Sequence, residues 1–331
     1  MSEYSVIGES MGRIIHKVSK EDLNKDLSGK NYIVTGSNSG IGFATTEQLV
    51  KQGAHVIMAV RNIDNGKKKS NELKKLKGST EVIYCNLENQ DSIRSLVNQI
   101  EEAKLKINGL VCNAGFVNAK RTREVTIDGF ERTIAASYFG HYLLTELLLE
   151  NLQQSEDSRI VLVSSVMHAN TNGNIPHLNF EDLNYENKPY NDFLAYGDAK
   201  LAVVMYGLEL GNRLQDKNVS VFSVHPGWAR SNFGKTDAGI FMKTLMKGVG
   251  PIATLMGMSD SNEDSAQTTL HCLLSDDVNQ HSGKYFSQSS VIYKDKTDKN
   301  GGWPMQSPNP QANDLDESKK LVQKTRELIK I

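Results

Sequence analysis

The chain has few of the features that define several broad classes of protein. Its 331 residues carry a formal net charge of −1, so it lacks the basic field that nucleic-acid binding requires. The eight histidines lack the spacing of metal ligands, and no repeats or low-complexity tracts occur. There are only three cysteines, Cys85, Cys112 and Cys272, which favours reduced thiols in a cytoplasmic, reducing compartment. We therefore expect neither a nucleic-acid partner nor a metal site.

The sequence also lacks an apolar run of about 18–20 residues, the length that a transmembrane helix requires. Residues 6–20 do combine apolar side chains with basic ones. Two interpretations of this segment stay open: an interfacial helix on a membrane or lipid droplet, or a segment that packs on the protein or frays. We expect a cytoplasmic protein, with peripheral contact to a membrane or lipid droplet as the alternative.

A glycine-rich turn near the N-terminus indicates a nucleotide site. The apolar stretch Asn31–Thr35 predicts a strand, and a helix is predicted over 43–52. Between them lie Gly36, Ser37, Asn38, Ser39, Gly40, Ile41 and Gly42. The glycines let the backbone approach a pyrophosphate, and the N-terminus of a helix presents N–H groups and a positive dipole to it. A strand before the turn and a helix after it are the context that this motif requires.

The end of the second predicted strand, residues 54–60, bears on the choice of cofactor. A site that prefers NAD usually places a carboxylate on the ribose 2′-hydroxyl at this point, and none stands here. The chain has Arg61 instead, and a guanidinium suits a 2′-phosphate through a forked, charge-assisted contact. A solvated arginine at a strand exit is the alternative. We predict NADP(H) as the cofactor.

The pentapeptide YGDAK, from Tyr196 to Lys200, points to proton transfer. On a helix, the i,i+4 spacing puts the phenol and the ammonium on one face. A neighbouring cation favours the phenolate and lowers the pKa of a tyrosine from its usual ~10. Alone the pattern is weak, because this spacing occurs on many solvated helix faces.

Strands and helices alternate along the chain, which predicts an α/β fold with a Rossmann-type, doubly wound parallel sheet and ligands at its carboxyl edge. We expect a single domain with a substrate-loop extension. Further strands are predicted at 81–85, 110–112, 159–163 and 219–224, and further helices at 91–100, 127–152 and 192–214.

The predicted organisation has three parts: an N-terminal extension (1–28), an NADP-binding catalytic domain (29–290) and a C-terminal extension (291–331). A polar stretch between Ser165 and Tyr196 is long enough to form a flap beside the site. The substrate loop, about 228–262, contains an apolar, methionine-rich part at 238–258. Such surfaces adapt to irregular apolar ligands, although core packing or a subunit contact is an equal alternative.

Several short motifs occur in a characteristic order. They are TGSNSGIG (35–42), CNAG (112–115), GHYLLT (140–145), VSS (163–165), YGDAK (196–200), HPG (225–227) and SGKYF (282–286). With these motifs the chain resembles the short-chain dehydrogenase/reductase family, in particular its retinol-dehydrogenase and WW-domain-oxidoreductase branch. The resemblance implies an NADP(H)-dependent oxidoreductase that interconverts an alcohol and a carbonyl on a small lipophilic substrate of the retinoid, steroid or aldehyde class. It also implies a homodimer through helices 127–152 and 192–214.

The resemblance assigns a role to each matching position. Ser165 would hydrogen-bond the substrate oxygen, Tyr196 would carry the proton, and Lys200 would hold the nicotinamide ribose and lower the pKa of Tyr196. Further cofactor contacts would come from the ends of the fourth and sixth strands, through Asn113, Ala114, Gly115, Pro226, Gly227, Ala229 and Ser231.

Two positions depart from the family pattern. Asn86, followed by Leu87, replaces an Asp that contacts the adenine, and its side chain keeps a carbonyl acceptor. Ser137 replaces an Asn that helps to hold a water in the proton relay beyond the lysine, and a shorter hydroxyl need not reach it. Ser137 therefore keeps open a second hypothesis, that of a catalytically slow or silent NADP-binding regulatory protein.

Overall fold

The computed structural model describes residues 17–116, 122–169, 174–227, 261–287 and 302–331. Through these residues runs an eight-stranded sheet in the order β3-β2-β1-β4-β5-β6-β7-β8. Strands β1 to β7 are parallel, and β8 pairs antiparallel with β7. The strands are β1 (Asn31–Thr35), β2 (His55–Val60), β3 (Ser79–Tyr84), β4 (Gly109–Cys112), β5 (Ser158–Val163), β6 (Val219–His225), β7 (Tyr285–Ser287) and β8 (Gly302–Met305).

Helices cover both faces of this sheet. They are α1 (Gly40–Lys51), α2 (Ile63–Leu73), α3 (Gln90–Glu102), α4 (Arg132–Ile134), α5 (Gly140–Gln153), α6 (Asp192–Arg213), α7 (Asn262–Leu274) and α8 (Leu315–Ile329), with a π-helical turn (Ala135–Phe139) between α4 and α5. Strand β1 has β2 on one side and β4 on the other, so the order reverses there. In doubly wound sheets ligands bind at this switch point. The predicted fold class is confirmed.

The central strands read as continuous apolar runs because both of their faces are buried. All residues of β4 and β5 are buried. Successive side chains point to opposite faces, so Ile33 and Ile160 join one core with α3, α5 and α6. Their neighbours Val34 and Val161 join the other core, with α1 and α7.

The helix predicted over 127–152 was wrong at its beginning. Residues 126–130 form a turn in which the N–H of Gly129 donates to the carbonyl of Thr126 (3.0 Å) and Gly129 has φ +83°. Helix α4 begins only at Arg132, because the carboxylate of Glu131 accepts the N–H groups of Thr133 (2.9 Å) and Ile134 (2.8 Å). This carboxylate supplies the capping bonds that an α-helix needs at its start.

Two segments near the chain termini pack onto this core. Residue Val18 is buried, and its N–H donates to the side chain of Gln267 on α7 (3.0 Å). Of the predicted interfacial segment 6–20, residues 6–16 lie outside the described residues. At the other end, α8 packs on α6, and Thr325 hydrogen-bonds the Tyr138 hydroxyl (2.9 Å). Within the described ranges, no helix has the length and hydropathy of a membrane span.

Candidate active site

Ser165, Tyr196 and Lys200 meet beyond the carboxyl end of β5. Ser165 directly follows the strand and caps a short 3-10 turn, with its Oγ accepting the N–H of Met167 at 3.3 Å. Tyr196 and Lys200 lie one turn apart on α6, and Lys200 Nζ is 5.6 Å from the centre of the Tyr196 ring. The Ser165 side chain hydrogen-bonds Tyr196. The structure thus brings together the three side chains that the sequence separates by up to 35 residues.

The electrostatics of this group differ from the sequence-based expectation. Burial raises the pKa of Tyr196 well above its usual value, and the hydrogen bond from Ser165 opposes this shift. Burial also lowers the pKa of Lys200 to about 8. Its ammonium donates to the Val163 carbonyl (2.8 Å). In this arrangement the hydrogen bond from Ser165 favours the phenolate.

Ser137 lies in the π-helical turn between α4 and α5. A Cβ placed on Gly115 would lie 3.3 Å from Lys200 Nζ and 3.7 Å from Ser137 Oγ, so these three residues converge. The Ser137 side chain is fully buried, and within the described ranges its Oγ has no hydrogen-bond partner. A buried hydroxyl of this kind is a place where an ordered water is expected. The structure places Ser137 near Lys200, and its part in a proton relay stays a prediction.

A network at the switch point joins the ends of β1 and β4. Thr35 Oγ1 accepts the N–H groups of Asn113 (2.9 Å) and Ala114 (3.0 Å). His141 Nε2 lies 2.9 Å from the same oxygen, and His141 Nδ1 lies 3.3 Å from the Ser137 carbonyl. Because a carbonyl only accepts, Nδ1 carries the proton and Nε2 accepts from the Thr35 hydroxyl. Burial lowers the pKa of His141 to about 3, which keeps the ring neutral.

His141 was missed by the sequence reasoning. The only available signal was its position one helical turn after Ser137, within the GHYLLT motif. Its second partner, Thr35, stands 106 residues earlier.

The glycine turn fits a pyrophosphate. Gly36 and Gly40 have φ values of +65° and +56°, which favour glycine. A Cβ on Gly42 would lie 2.5 Å from the Asn113 side chain and 2.6 Å from the Gly36 carbonyl, so only glycine permits this approach. Ser39 precedes α1 without making a side-chain capping bond, which leaves the first N–H groups of the helix to an anion. In the same turn, the side chain of Ser37 is buried. The backbone carbonyl of Asn38 accepts a hydrogen bond from the Asn65 side chain (3.4 Å).

Arg61 lies at the end of β2, as predicted, but it is paired with a carboxylate. Its guanidinium is 2.8 Å from Glu88, which also contacts Arg132 at 2.8 Å. Glu88 was missed because it arrives from the turn after β3, 27 residues from Arg61. In the same turn, Asn86 Oδ1 accepts the N–H of Glu88 (3.2 Å), and the Leu87 carbonyl would lie 2.4 Å from a Cβ on Gly140.

The remaining predicted contacts are only partly described. Pro226 and Gly227 follow β6, and Gly227 has φ +89°. Ala229 and Ser231 lie outside the described residues, as does most of the predicted substrate loop, 228–260.

Comparison with known proteins shows which proteins the chain resembles. A family model described as short chain dehydrogenase matches residues 30–177. Human retinol dehydrogenase 13 is 33% identical over 309 residues, covering 92% of this chain and 85% of that protein. Mouse retinol dehydrogenase 12 is 34% identical over 272 residues, covering 82% and 81%.

Solved structures show the same fold. An uncharacterised protein from Mycobacterium paratuberculosis has a TM-score of 0.71 and 25% identity, covering 95% of this chain and 98% of that one. The RhlG/NADP active-site complex of Pseudomonas aeruginosa has a TM-score of 0.64 and 20% identity, covering 81% and 97%. At 20% identity the second likeness supports the fold alone. The family model and the curated relatives establish that the chain belongs to the short-chain dehydrogenase/reductase family of oxidoreductases.

Proposed function

We propose that the protein is an NADP(H)-dependent enzyme that interconverts an alcohol and a carbonyl group on a small lipophilic substrate. The observation that carries this proposal is the convergence of Ser165, Tyr196 and Lys200 beside the glycine turn. A purely binding protein has no need for a buried phenol that hydrogen-bonds a serine next to a buried ammonium. When bound, NADP(H) supplies the hydride chemistry, and the protein supplies orientation and electrostatics.

The side chains divide the remaining work. Ser165 is only partly buried, so its hydroxyl can hold the substrate oxygen beside the Tyr196 hydroxyl. In reduction Tyr196 donates its proton to that oxygen, and in oxidation it removes the proton. The ammonium of Lys200 predominates below its pKa of about 8, where it can hold the ribose hydroxyls and favour the phenolate. Activity that requires this charge falls as pH rises through 8.

The preference for NADP(H) rests on Arg61. To meet a 2′-phosphate, its guanidinium has to turn away from Glu88. That exchange is favourable because Glu88 keeps its ion pair with Arg132 (2.8 Å), so its carboxylate charge stays compensated. In addition, a phosphate offers Arg61 a stronger, charge-assisted contact. Contacts of Asn86, Leu87 and the 113–115 turn with the adenosine half complete the proposed cofactor site.

The proposed substrate is of the retinoid, steroid or aldehyde class. The two retinol dehydrogenases that share about a third of their residues with the chain favour a lipophilic alcohol or carbonyl. A cytoplasmic site of action, with or without peripheral contact to a membrane or lipid droplet, is proposed alongside it, since Cys85, Cys112 and Cys272 are unpaired and buried. A homodimer through α5 and α6 stays a prediction, and α8 already covers part of α6.

A second candidate function is a slow or silent NADP-binding protein. The observation that favours it is Ser137, whose buried Oγ has no partner within the described ranges. If no water bridges this hydroxyl to Lys200, protons reach the site slowly. The protein then still binds the cofactor but turns over slowly or not at all.

One screen separates the two candidates. Purified protein is tested for NADPH oxidation with retinals, steroid ketones, fatty aldehydes and quinones, while NADPH and NADH affinities are measured by titration calorimetry. We expect turnover of at least one lipophilic carbonyl and tighter binding of NADPH than of NADH. Tight NADPH binding without turnover, in both the parent protein and Ser137→Asn, would favour the silent binder.

A further inference from the structure

A second buried histidine contacts the backbone of the proposed catalytic serine. His168 is fully buried in the 3-10 turn that Ser165 caps. Its Nδ1 lies 2.6 Å from the Ser165 carbonyl, and its Nε2 lies 2.7 Å from the hydroxyl of Ser307. Since the carbonyl only accepts, Nδ1 carries the proton and Nε2 accepts from Ser307. Burial lowers the pKa of His168 to about 4, so the ring stays neutral in this bridge.

The bridge leads to the C-terminal segment of the chain. Ser307 Oγ also accepts the N–H of Asn309 (3.1 Å). The side-chain amide of Asn309 donates to the carbonyls of His168 and Pro176, both at 2.8 Å. These contacts tie residues 307–309 to His168 and Pro176 in the stretch that follows Ser165.

Gln311 extends the same contact by pairing with one backbone unit. Its Oε1 accepts the N–H of Leu178 (2.8 Å), and its Nε2 donates to the Leu178 carbonyl (3.3 Å). Alternate residues 307, 309 and 311 thus bind successive parts of the segment between Ser165 and α6. Ser307, Asn309 and Gln311 are all buried, so water does not compete for these bonds.

We propose that His168 is a positioning residue for Ser165, held in place by Ser307 of the C-terminal segment. The Ser165 carbonyl accepts two bonds from His168, one from its N–H (3.1 Å) and one from Nδ1. Both bonds fix the backbone of Ser165, whose side chain hydrogen-bonds Tyr196. This inference rests on the proposed function, because it gives the C-terminal segment a part in placing the serine hydroxyl that meets the substrate oxygen.

The matched variants remove the contacts of His168 with Ser165 and Ser307 separately or together. His168→Asn keeps a donor near the Nδ1 position and loses the arm to Ser307, whereas His168→Leu loses both. Ser307→Ala removes only the outer contact. His177→Asn is the control, because His177 is an exposed histidine of the same segment. For each variant we would measure kcat, KM for the carbonyl substrate and the NADPH dissociation constant.

A positioning role separates these quantities. We expect kcat to fall about 100-fold in His168→Leu, the loss that a misplacement of about 1 Å produces, while NADPH affinity stays within about twofold. His168→Asn should recover most of this loss, and Ser307→Ala should lower kcat only a few-fold. Adding Ser307→Ala to His168→Leu should cost nothing more, since coupled residues are not additive. Parent-like kcat in His168→Leu, or equal losses in kcat and NADPH affinity, would overturn the proposal.

A spectroscopic arm does not depend on turnover. In protein labelled with 15N-histidine and 13C-carbonyl serine, we expect the Nδ1-protonated neutral tautomer at His168. Ser307→Ala should shift both the His168 Nε2 resonance and the Ser165 carbonyl resonance, and His177→Asn should shift neither. A parent protein that reduces no substrate in the screen would count against the proposed function. The chemical-shift changes would still show whether the His168 bridge between Ser165 and Ser307 exists. Unchanged His168 and Ser165 resonances in Ser307→Ala would show that the bridge is absent.

Discussion

On the proposed cofactor side of the site, Thr35 joins two neighbouring strands by accepting the backbone N–H groups of Asn113 and Ala114. On the substrate side, the backbone of Ser165 is held by His168, which is held in turn by Ser307, 139 residues further along the chain. The first arrangement uses backbone groups at adjacent strand ends. The second uses side chains from a distant segment.

This difference bears on how each half can change. Residues such as Gly42 leave no space for even one added carbon, and the anion site proposed for this turn uses main-chain N–H groups that almost any sequence supplies. The substrate half depends on particular side chains at positions 168, 307, 309 and 311. We infer that the cofactor half is restricted mainly at its glycines, where few substitutions are tolerated. The substrate half can be changed by substitutions in the C-terminal segment.

The largest expected effect tests whether the two halves can be separated at all. Tyr196→Phe should lower turnover by about 10³-fold or more, in the upper range for loss of a general acid, because only the transferred proton is lost. NADPH affinity should stay nearly unchanged by calorimetry. Lys200→Ala should reduce both turnover and affinity, because Lys200 belongs to both halves. Near-normal reduction by Tyr196→Phe would require another proton donor.

The two buried histidines allow a comparison of stability in the two halves. Burial lowers the pKa of His141 to about 3 and that of His168 to about 4. Below pH 6.5 the unfolded chain therefore binds protons that the folded protein does not, and the free energy of unfolding falls as pH falls. Each histidine should account for roughly 3 kcal/mol between pH 6.5 and 4.

Urea unfolding over that pH range checks this expectation. His141→Asn and His168→Asn should each flatten the slope of stability against pH by about one proton, whatever their effect on stability at pH 7. The loss due to His141 should continue to lower pH than the loss due to His168. His177→Asn is the control, and slopes equal to that of the parent in both core variants would contradict the assigned protonation states.

A smaller effect is expected at the outer edge of the cofactor half. Glu88→Gln releases Arg61 from an exposed ion pair, so NADPH should bind up to about fivefold tighter, the range of such pairs, with little change for NADH. Arg61→Asp should reverse the order of the two affinities. The control is Glu72→Gln, which removes a similar pair with Lys69 (2.8 Å) on α2. Equal affinities of the parent protein for NADPH and NADH would contradict the role of Arg61.

The same division explains what could be predicted from sequence. The first six strands and the glycine turn follow from local apolar patterning and from the steric demands of residues such as Gly36, and they were predicted, whereas the short strands β7 and β8 were not. The Glu88 contact with Arg61 and the Ser307 contact with His168 join residues 27 and 139 positions apart. No periodicity encodes such pairs, because they depend on which turns the sheet order brings together. The raised pKa of Tyr196 was missed for a related reason, since it depends on burial.

The smallest expected effect concerns Ser137, where the two candidate functions diverge. Its carbonyl is already bound by His141 (3.3 Å), which keeps the π-helical turn in place whichever side chain it carries. Its Oγ and the Lys200 ammonium both lie near Gly115, and we expect one water to bridge the hydroxyl and the ammonium. Ser137→Asn should therefore change kcat only a few-fold, within about 1 kcal/mol of barrier, and leave NADPH affinity unchanged. The double variant Ser137→Asn/Tyr196→Phe should be inactive, which confirms that the measured turnover uses the same tyrosine. A large rise in kcat in Ser137→Asn would instead mean that Ser137 disrupts the proton relay. The natural protein would then be the NADP-binding protein with slow turnover.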